Sequence, residues 1–208
     1  MSGVLLNLPY CGSVAHWAQM LKADAVVFEA CSHYQRRTFR TRTIIMAANG
    51  PLAVSVPVEL DYSLTNKEIR INYETNWAQQ HLRALLSAYN STPFFEFYAD
   101  DFEQVYNQHF ERVWNLNMAL MKLIAELMDV EINYSQTDNY GPCPEDFKDM
   151  RIAIEPKYAA RLAEGIPQVP YYQVFSDKFG FVPNLSVLDL LFNMGPESKL
   201  VLKQMVSI

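Results

Sequence analysis

A short basic segment carries most of the side chains in this sequence that could do chemistry. Ten residues hold one histidine, one tyrosine and four arginines, namely His33, Tyr34, Arg36, Arg37, Arg40 and Arg42. On a strand predicted over residues 38–45, Arg40 and Arg42 share a face because side chains alternate along a strand. Two guanidinium groups on one face suit a carboxylate or a phosphate, which each holds through two hydrogen bonds. The alternative is a solvated strand face with ordinary surface arginines.

Two residues near the N-terminus extend the candidate site. His16 falls in the first turn of a predicted helix, where anions bind, and histidine titrates near working pH as a general base must. Asp24 follows that helix. The candidate catalytic residues are therefore His16, His33 and Asp24. The candidate substrate-binding residues are Tyr34, Arg36, Arg40, Arg42 and Asn49. For His16 the alternative is a packed or surface histidine without a catalytic role.

The common catalytic signatures are missing from the sequence. It contains no phosphate-binding GxxxxGK[ST] loop, no GxGxxG after a strand, no GxSxG and no HExxH. The histidines are scattered, and the cysteines are three and widely spaced, without metal-ligand spacing: His16, His33, His81, His109, Cys11, Cys31 and Cys143. The sequence therefore predicts no metal and no cofactor, and cysteines that stay reduced.

The charge and the apolar content of the sequence limit the classes of partner that we expect. The net charge is −6, whereas a nucleic-acid-binding protein normally presents a basic face to phosphate. The N-terminus lacks the basic region of a signal peptide, and no apolar run approaches the ~20 residues of a spanning helix. We expect a single domain over residues 1–208, located in the cytoplasm. Its expected partner is an anionic small molecule rather than nucleic acid or a membrane, and nothing indicates an oligomer.

The first half of the sequence predicts mainly strands. GVLLNLPY and AVVFEA are strand-like and flank a helix that Ser13 caps. The alternating segments TFRTRTII and LAVSVPVE flank Asn49-Gly50, a dipeptide typical of type I′ hairpin turns. EIRINYE also alternates and predicts a further strand.

The second half predicts mainly helices, including a long amphipathic one over residues 109–130. Asp189 in the apolar helix VLDLLFN is more typical of a helix-to-loop anchor than of a catalytic acid. The predicted fold class is α+β, with a mostly antiparallel N-terminal sheet packed by helices from the C-terminal half.

The order of several of these residues resembles the WbqC-like protein family. The similarity rests on Pro9, Trp17, Ala23-Asp24, Tyr34, Phe39, Arg42, Asn49-Gly50 and Val56-Pro57-Val58, and it continues through Trp77, His81 and YNSTPFFEFY. The segment LSVLDLLFNMGPES resembles the bacteroidete branch. Thr41 stands where many members carry asparagine, and threonine keeps only part of the hydrogen-bonding capacity of asparagine. The resemblance implies a role in cell-surface polysaccharide biosynthesis, in modifying a sugar.

Three hypotheses remain open. The first is a transferase acting on a nucleotide-sugar, acyl or aminoacyl donor held by Arg40 and Arg42. The second is a non-catalytic binding or scaffolding protein that uses an aromatic surface at residues 94–98. The third is nucleotidylyl transfer on a degenerate strand–helix–strand core. It predicts a parallel sheet with the loop 9–13 at its carboxyl edge, although His16 lacks the second histidine of an HxGH pair.

Overall fold

The computed structural model describes residues 3–152 and 167–206. The chain begins with a strand–helix–strand unit made of β1 (Gly3–Leu6), α1 (Val14–Lys22) and β2 (Ala25–Phe28). The two strands are parallel neighbours, because α1 carries the chain back to the end of the sheet at which β1 begins. Ser13 is the N-cap of α1 as predicted.

The prediction of a mostly antiparallel sheet is wrong. The main sheet has the order β5–β2–β1–β6, and all of its pairs are parallel. Its outer strands are short segments from later in the chain, β5 (Tyr134–Gln136) and β6 (Phe147–Asp149). The ring of Phe147 occupies the space that a Cβ on Gly3 would fill, so β6 can lie closely beside β1. Strands of three residues leave almost no periodic signal, and this is why the sequence pattern does not reveal the two outer strands of the sheet.

The predicted hairpin is confirmed as the antiparallel pair β3 (Arg42–Ala47) and β4 (Gly50–Ser55). Its turn is shifted by one residue, since Ala47 pairs with Gly50 and the positive φ of 116° falls on Gly50. The strand begins at Arg42, so the expectation that Arg40 and Arg42 share a strand face is wrong. EIRINYE forms only isolated bridges, although Ile69 and Ile71 are buried as their alternation predicts.

Helices make up most of the remaining fold. The middle of the chain forms α2 (Trp77–Tyr89), α3 (Phe95–Tyr106) and α4 (Val113–Leu127), and α3 packs against both of the others. The C-terminal part forms α5 (Ser176–Phe179), α6 (Val187–Met194), a 3₁₀ turn (Gly195–Glu197) and α7 (Ser198–Val206). Helix α7 packs on α1. In the described ranges, no helix combines the length and apolar character needed to cross a membrane.

The helices share one apolar core with the parallel sheet. Helix α6 contributes its central ring, because Phe192 makes edge-on or tilted contacts with the rings of Tyr89, Phe95 and Phe102. Aromatic pairs in this geometry contribute about 0.5–1.5 kcal/mol beyond their buried area. Helix α6 is thereby held against α2 and α3.

Candidate functional site

A cleft of about 440 Å³ opens at the carboxyl edge of the parallel sheet. In open sheets with parallel strands this edge is where ligands bind, because the loops that leave the strands converge there. Polar residues follow or end each of the four strands: Asn7 after β1, Glu29 after β2, Thr137 after β5 and Asp149 in β6. The cleft is lined by Asn7, Ser32, Gln35, Arg36, Arg37, Thr38, Arg40, Tyr140, Asp149, Arg151 and Ile152.

A charged network fixes the base of the cleft. The guanidinium group of Arg151 donates to both carboxylate oxygens of Asp149 and, through Nη1 at 3.0 Å, to Oε2 of Glu29. The other oxygen of Glu29 accepts from the backbone N–H groups of Cys31 and Ser32 and from the Thr137 hydroxyl. Hydrogen bonding to Arg151 lowers the pKa of Asp149, and the same bonds raise the pKa of Arg151 above its usual value. Asp149 and Arg151 therefore stay charged at neutral pH.

One turn supplies the basic wall of the cleft. Residues 36–41 form a series of turns and a bend between the loop after β2 and the start of β3. Two hydrogen bonds to its backbone hold this basic turn, residues 36–41, in place. The Tyr10 N–H donates to the Phe39 carbonyl at 2.7 Å, and Nδ2 of Asn117 donates to the Arg40 carbonyl at 2.8 Å. Asn117 lies on α4 and is buried. Asn117 is not among the candidate residues predicted from the sequence. The sequence nevertheless offers a signal for it, because Asn117 is a polar residue on the apolar stripe of a predicted helix.

Arg36 and Arg37 are the exposed cations of this wall. Across the residues that the structure describes, neither forms an ion pair, whereas Arg151 is fully engaged. Arg37 also has a φ of +61°, in the left-handed region that residues with a Cβ rarely occupy. Backbone strain of this kind is found preferentially at functional sites, where neighbouring structure over-determines it.

Substituting Arg37 with glycine is expected to raise the free energy of unfolding by about 0.5–1 kcal/mol, because glycine adopts positive φ without steric cost. Arg36 has ordinary backbone geometry, so Arg36→Gly is the matched control and should lower the stability by a similar amount. Urea unfolding of the three proteins measures both effects. If Arg37→Gly is no more stable than Arg36→Gly, the positive φ at Arg37 does not destabilise the folded state.

His16 lines a narrow hollow that shares Asn7, Arg40 and Arg151 with the cleft. Its Nδ1 accepts hydrogen bonds from the backbone N–H of Ser13 at 3.2 Å and from the Ser13 hydroxyl at 3.0 Å. Burial lowers the pKa of His16 to about 3, so the ring is neutral at pH 7. With Nδ1 accepting, the proton resides on Nε2. The geometry therefore suits a neutral hydrogen-bond donor better than the general base that the sequence predicts.

The N-terminus of α1 is already occupied by the chain itself. The backbone N–H of Val14 donates to the Leu185 carbonyl, and that of Ala15 donates to Oδ1 of Asn184 at 3.1 Å. Ser186 forms an isolated bridge with Ser13. The free N–H groups that would attract an anion at this helix end are thus satisfied by the segment before α6. An anion in the cleft must therefore be held by side chains rather than by α1.

Besides His16, five of the candidate residues do not line the cleft. His33 is exposed and its backbone bridges to Thr65, and Asp24 is exposed beyond the end of α1. Arg42 lies within β3, and Asn49 is exposed at the tip of the hairpin. Tyr34 is buried behind the cleft, where its hydroxyl lies 3.5 Å from that of Thr41 in a small hollow that also touches Arg40. The structure thus brings together Arg36, Arg40 and His16 from the predicted set.

The part of the cleft lining that lies outside the basic turn is hardly indicated by the sequence. Tyr140 belongs to a stretch typical of a Pro/Gly loop, Asp149 ends a strand of three residues, and Arg151 follows that strand. These side chains reach the cleft only because β6 pairs with β1. Among the described residues, no three His, Cys, Asp or Glu side chains come together in a way that could hold a metal ion.

The fold and the cleft define a class: an α+β protein, as predicted, with a parallel main sheet and an arginine-lined cleft at the carboxyl edge of that sheet. The chain belongs to the WbqC-like protein family, whose family model matches residues 7–165. It is also similar to Uncharacterized protein Rv1507c of Mycobacterium tuberculosis, with 26% identity over 193 residues that cover 79% of this chain and 81% of that protein. No solved structure matches the chain.

Proposed function

We propose that this protein is a transferase whose anionic, activated substrate binds in the cleft at the carboxyl edge of the sheet. The observation that carries the proposal is the position of Arg36, Arg37 and Arg40 on one turn that lines this cleft. The overall charge of the chain is −6, whereas Arg36 and Arg37 are exposed on this wall and form no ion pair among the described residues, so these two arginines create a local field opposite to that of the whole molecule. Such a field concentrates anionic ligands in the cleft.

The chemistry of such a transfer matches the residues on the two walls. An acceptor hydroxyl or amine forms a bond to the activated carbon while the bond to the leaving group breaks, and the leaving group departs with the electron pair as an anion. Arg36 and Arg37 would stabilise that anion through charge-assisted hydrogen bonds. His16 lies in the narrow hollow beside the cleft, where there is no room for a substrate group, so the proposal assigns it no contact with the substrate. The acceptor proton would pass to solvent, because Asp149 is held by Arg151.

Membership of the WbqC-like family supports a place for this reaction in cell-surface polysaccharide biosynthesis. Activated sugar and acyl donors are made in the cytoplasm, and the proposal therefore locates the protein there. It also treats residues 1–208 as one domain, since the apolar core includes residues from β1 as well as from α7.

Removing the charges of Arg36 and Arg37 tests the proposal. We expect the Arg36→Gln/Arg37→Gln variant to lose affinity for inorganic pyrophosphate and for nucleotide-sugar and acyl donors by on the order of tenfold per arginine. Calorimetry at low and high salt measures the affinities, and salt should weaken the wild type more than the variant. Arg83→Gln is the matched control, since Arg83 is an exposed arginine on α2 outside this cleft.

Two results would contradict the proposal. One is equal anion affinity in the wild type and the double variant. The other is a failure of both the wild type and Arg83→Gln to bind any of these anions in the calorimeter. Transfer itself is measured by phosphorus NMR of the leaving group in the presence of candidate sugar acceptors.

Nucleotidylyl transfer is a second candidate because one specific expectation of it is met: the sheet is parallel and the loop 9–13 follows β1 at its carboxyl edge. The satisfied N-terminus of α1 counts against it, since the phosphates have no free helix end to bind. Release of pyrophosphate from a nucleoside triphosphate would favour this candidate over the transferase.

The binding-protein hypothesis has lost most of its support. Phe95 is buried in the core, and Phe94 and Tyr98 are half-buried and stack on each other. Phe97 alone of the four aromatic residues is well exposed, at 74%. One exposed ring is common on the surface of a soluble protein and defines no interface.

A further inference from the structure

An exposed aromatic ring lines the same cleft as the basic turn. Tyr140 is 67% exposed and Ile152 is 64% exposed, and both line the cleft. What separates Tyr140 from other exposed rings such as Phe97 is its place on the lining of the cleft, beside Arg151. A ligand with a flat ring at one end and an anionic group at the other would be complementary to a cleft lined by Tyr140 and by the arginines of the basic turn.

The Tyr140 ring is held in place by the charged network. The guanidinium carbon of Arg151 lies 5.5 Å from the ring centroid, within the range of a cation–π contact. Arg151 is itself fixed by Asp149 and Glu29, and its Nη1 also donates to the Gly141 carbonyl at 3.1 Å. The ring is therefore oriented before a ligand arrives, which reduces the entropy that binding must remove.

We propose that Tyr140 is a stacking platform for a nucleobase, and that the anionic substrate is a nucleoside diphosphate or its sugar conjugate. This inference rests on the proposed function, because the arginines of the basic turn hold the phosphates while Tyr140 holds the base. A cleft of about 440 Å³ lies within the size range of small-molecule sites. Stacking on a tyrosine ring tolerates any base, so the geometry defines the class of ligand and not the identity of the base.

The test compares uridine diphosphate with inorganic pyrophosphate, which carries the same two phosphorus atoms without the base. Calorimetry is run on the full chain as wild type, Tyr140→Ala and Tyr140→Phe. Tyr172→Ala is the matched control, because Tyr172 is also exposed and does not line the cleft. We expect Tyr140→Ala to weaken uridine diphosphate binding about tenfold and pyrophosphate binding less than about twofold. Tyr140→Phe and Tyr172→Ala should keep both affinities.

The outcomes separate this inference from the proposed function. Pyrophosphate binding that depends on Arg36 and Arg37, with uridine diphosphate bound no more tightly than pyrophosphate, overturns the nucleobase platform and leaves the anion cleft standing. Equal losses for both ligands in Tyr140→Ala also overturn it, because the ring would then act only by holding Arg151. Failure of both ligands to bind the wild type overturns the inference and the proposed function together. Unchanged pyrophosphate affinity in Tyr140→Ala shows that the variant is folded.

Discussion

Replacing Arg151 with methionine is expected to lower the free energy of unfolding by about 3–5 kcal/mol at neutral pH. The reason is Glu29, whose side chain is 1% exposed and whose Oε2 has Arg151 as its ion-pair partner. Removing one partner of a buried ion pair leaves the other charge buried without compensation. This lowers the free energy of unfolding far more than replacing both partners with apolar residues would. Urea or thermal unfolding of the purified variant measures the loss.

A double variant distinguishes this cause from simple loss of packing. Glu29→Gln keeps the shape of Glu29 and removes its charge, so Arg151→Met/Glu29→Gln should be more stable than Arg151→Met alone. The control is Arg70→Met, because Arg70 pairs with Glu111 at the surface and both side chains are more than half exposed. That variant should change the stability by less than about 1 kcal/mol. No recovery in the double variant would refute the buried-charge explanation.

Replacing Asp189 with asparagine is expected to change how stability depends on pH. Asp189 is fully buried on α6, and its Oδ2 accepts from the Tyr171 hydroxyl at 2.8 Å and from Nε2 of Gln173 at 3.0 Å. The predicted role of a helix-to-loop anchor is thereby confirmed. Burial raises the pKa of Asp189 to about 6, and the hydrogen bond from Tyr171 opposes that rise without cancelling it.

The sign of the effect follows from linkage. A carboxyl group whose folded pKa lies above its unfolded value binds its proton more tightly in the folded state. Its contribution to stability is fully present below about pH 4 and is lost as the pH rises through about 6. The asparagine side chain has no proton to lose in this range, so we expect the Asp189→Asn variant to gain on the order of 1–2 kcal/mol relative to wild type between about pH 5 and about pH 7.5.

The quantity to measure is the difference in the free energy of unfolding between Asp189→Asn and wild type at each pH. Burial lowers the pKa of His16 to about 3 and that of His81 to about 4, and both groups make the folded state less stable as the pH falls below 6.5. Both proteins share these histidines, so the difference isolates Asp189. Asp177→Asn is the control, since Asp177 is exposed on α5. A stability difference between Asp189→Asn and wild type that stays constant over this pH range would exclude a raised pKa at Asp189.

These two positions also show how the cleft is supported. Arg151 fixes Tyr140 and the base of the cleft, so its loss should weaken ligand binding as well as stability. Asp189 anchors residues 171 and 173 to α6, and the segment before α6 satisfies the N-terminus of α1. We therefore expect stability changes at Asp189 without a change in pyrophosphate affinity.

Elements with local signals can be predicted from the amino-acid sequence. They include the Ser13 cap of α1, the hairpin around Asn49-Gly50 and the apolar stripe of α4, because caps, turns and periodicity act over a few residues. The basic segment is also recognisable, since clustered arginines are a matter of composition. Two of its predicted ligand-binding residues, Arg36 and Arg40, do line the cleft.

The make-up of the cleft, in contrast, depends on contacts between distant parts of the chain. Asn7 and Arg151, which share the cleft, are 144 residues apart, and they meet only because β6 pairs with β1. Three-residue strands carry too little periodicity to indicate such a pairing, so the outer strands β5 and β6 and the wall with Tyr140 have no counterpart in the sequence pattern. Arg42 does not line the cleft, and it shares no strand face with Arg40 because β3 begins at residue 42 rather than at residue 38. Which side chains face one cleft depends on long-range strand pairing, and no local pattern in the sequence records it.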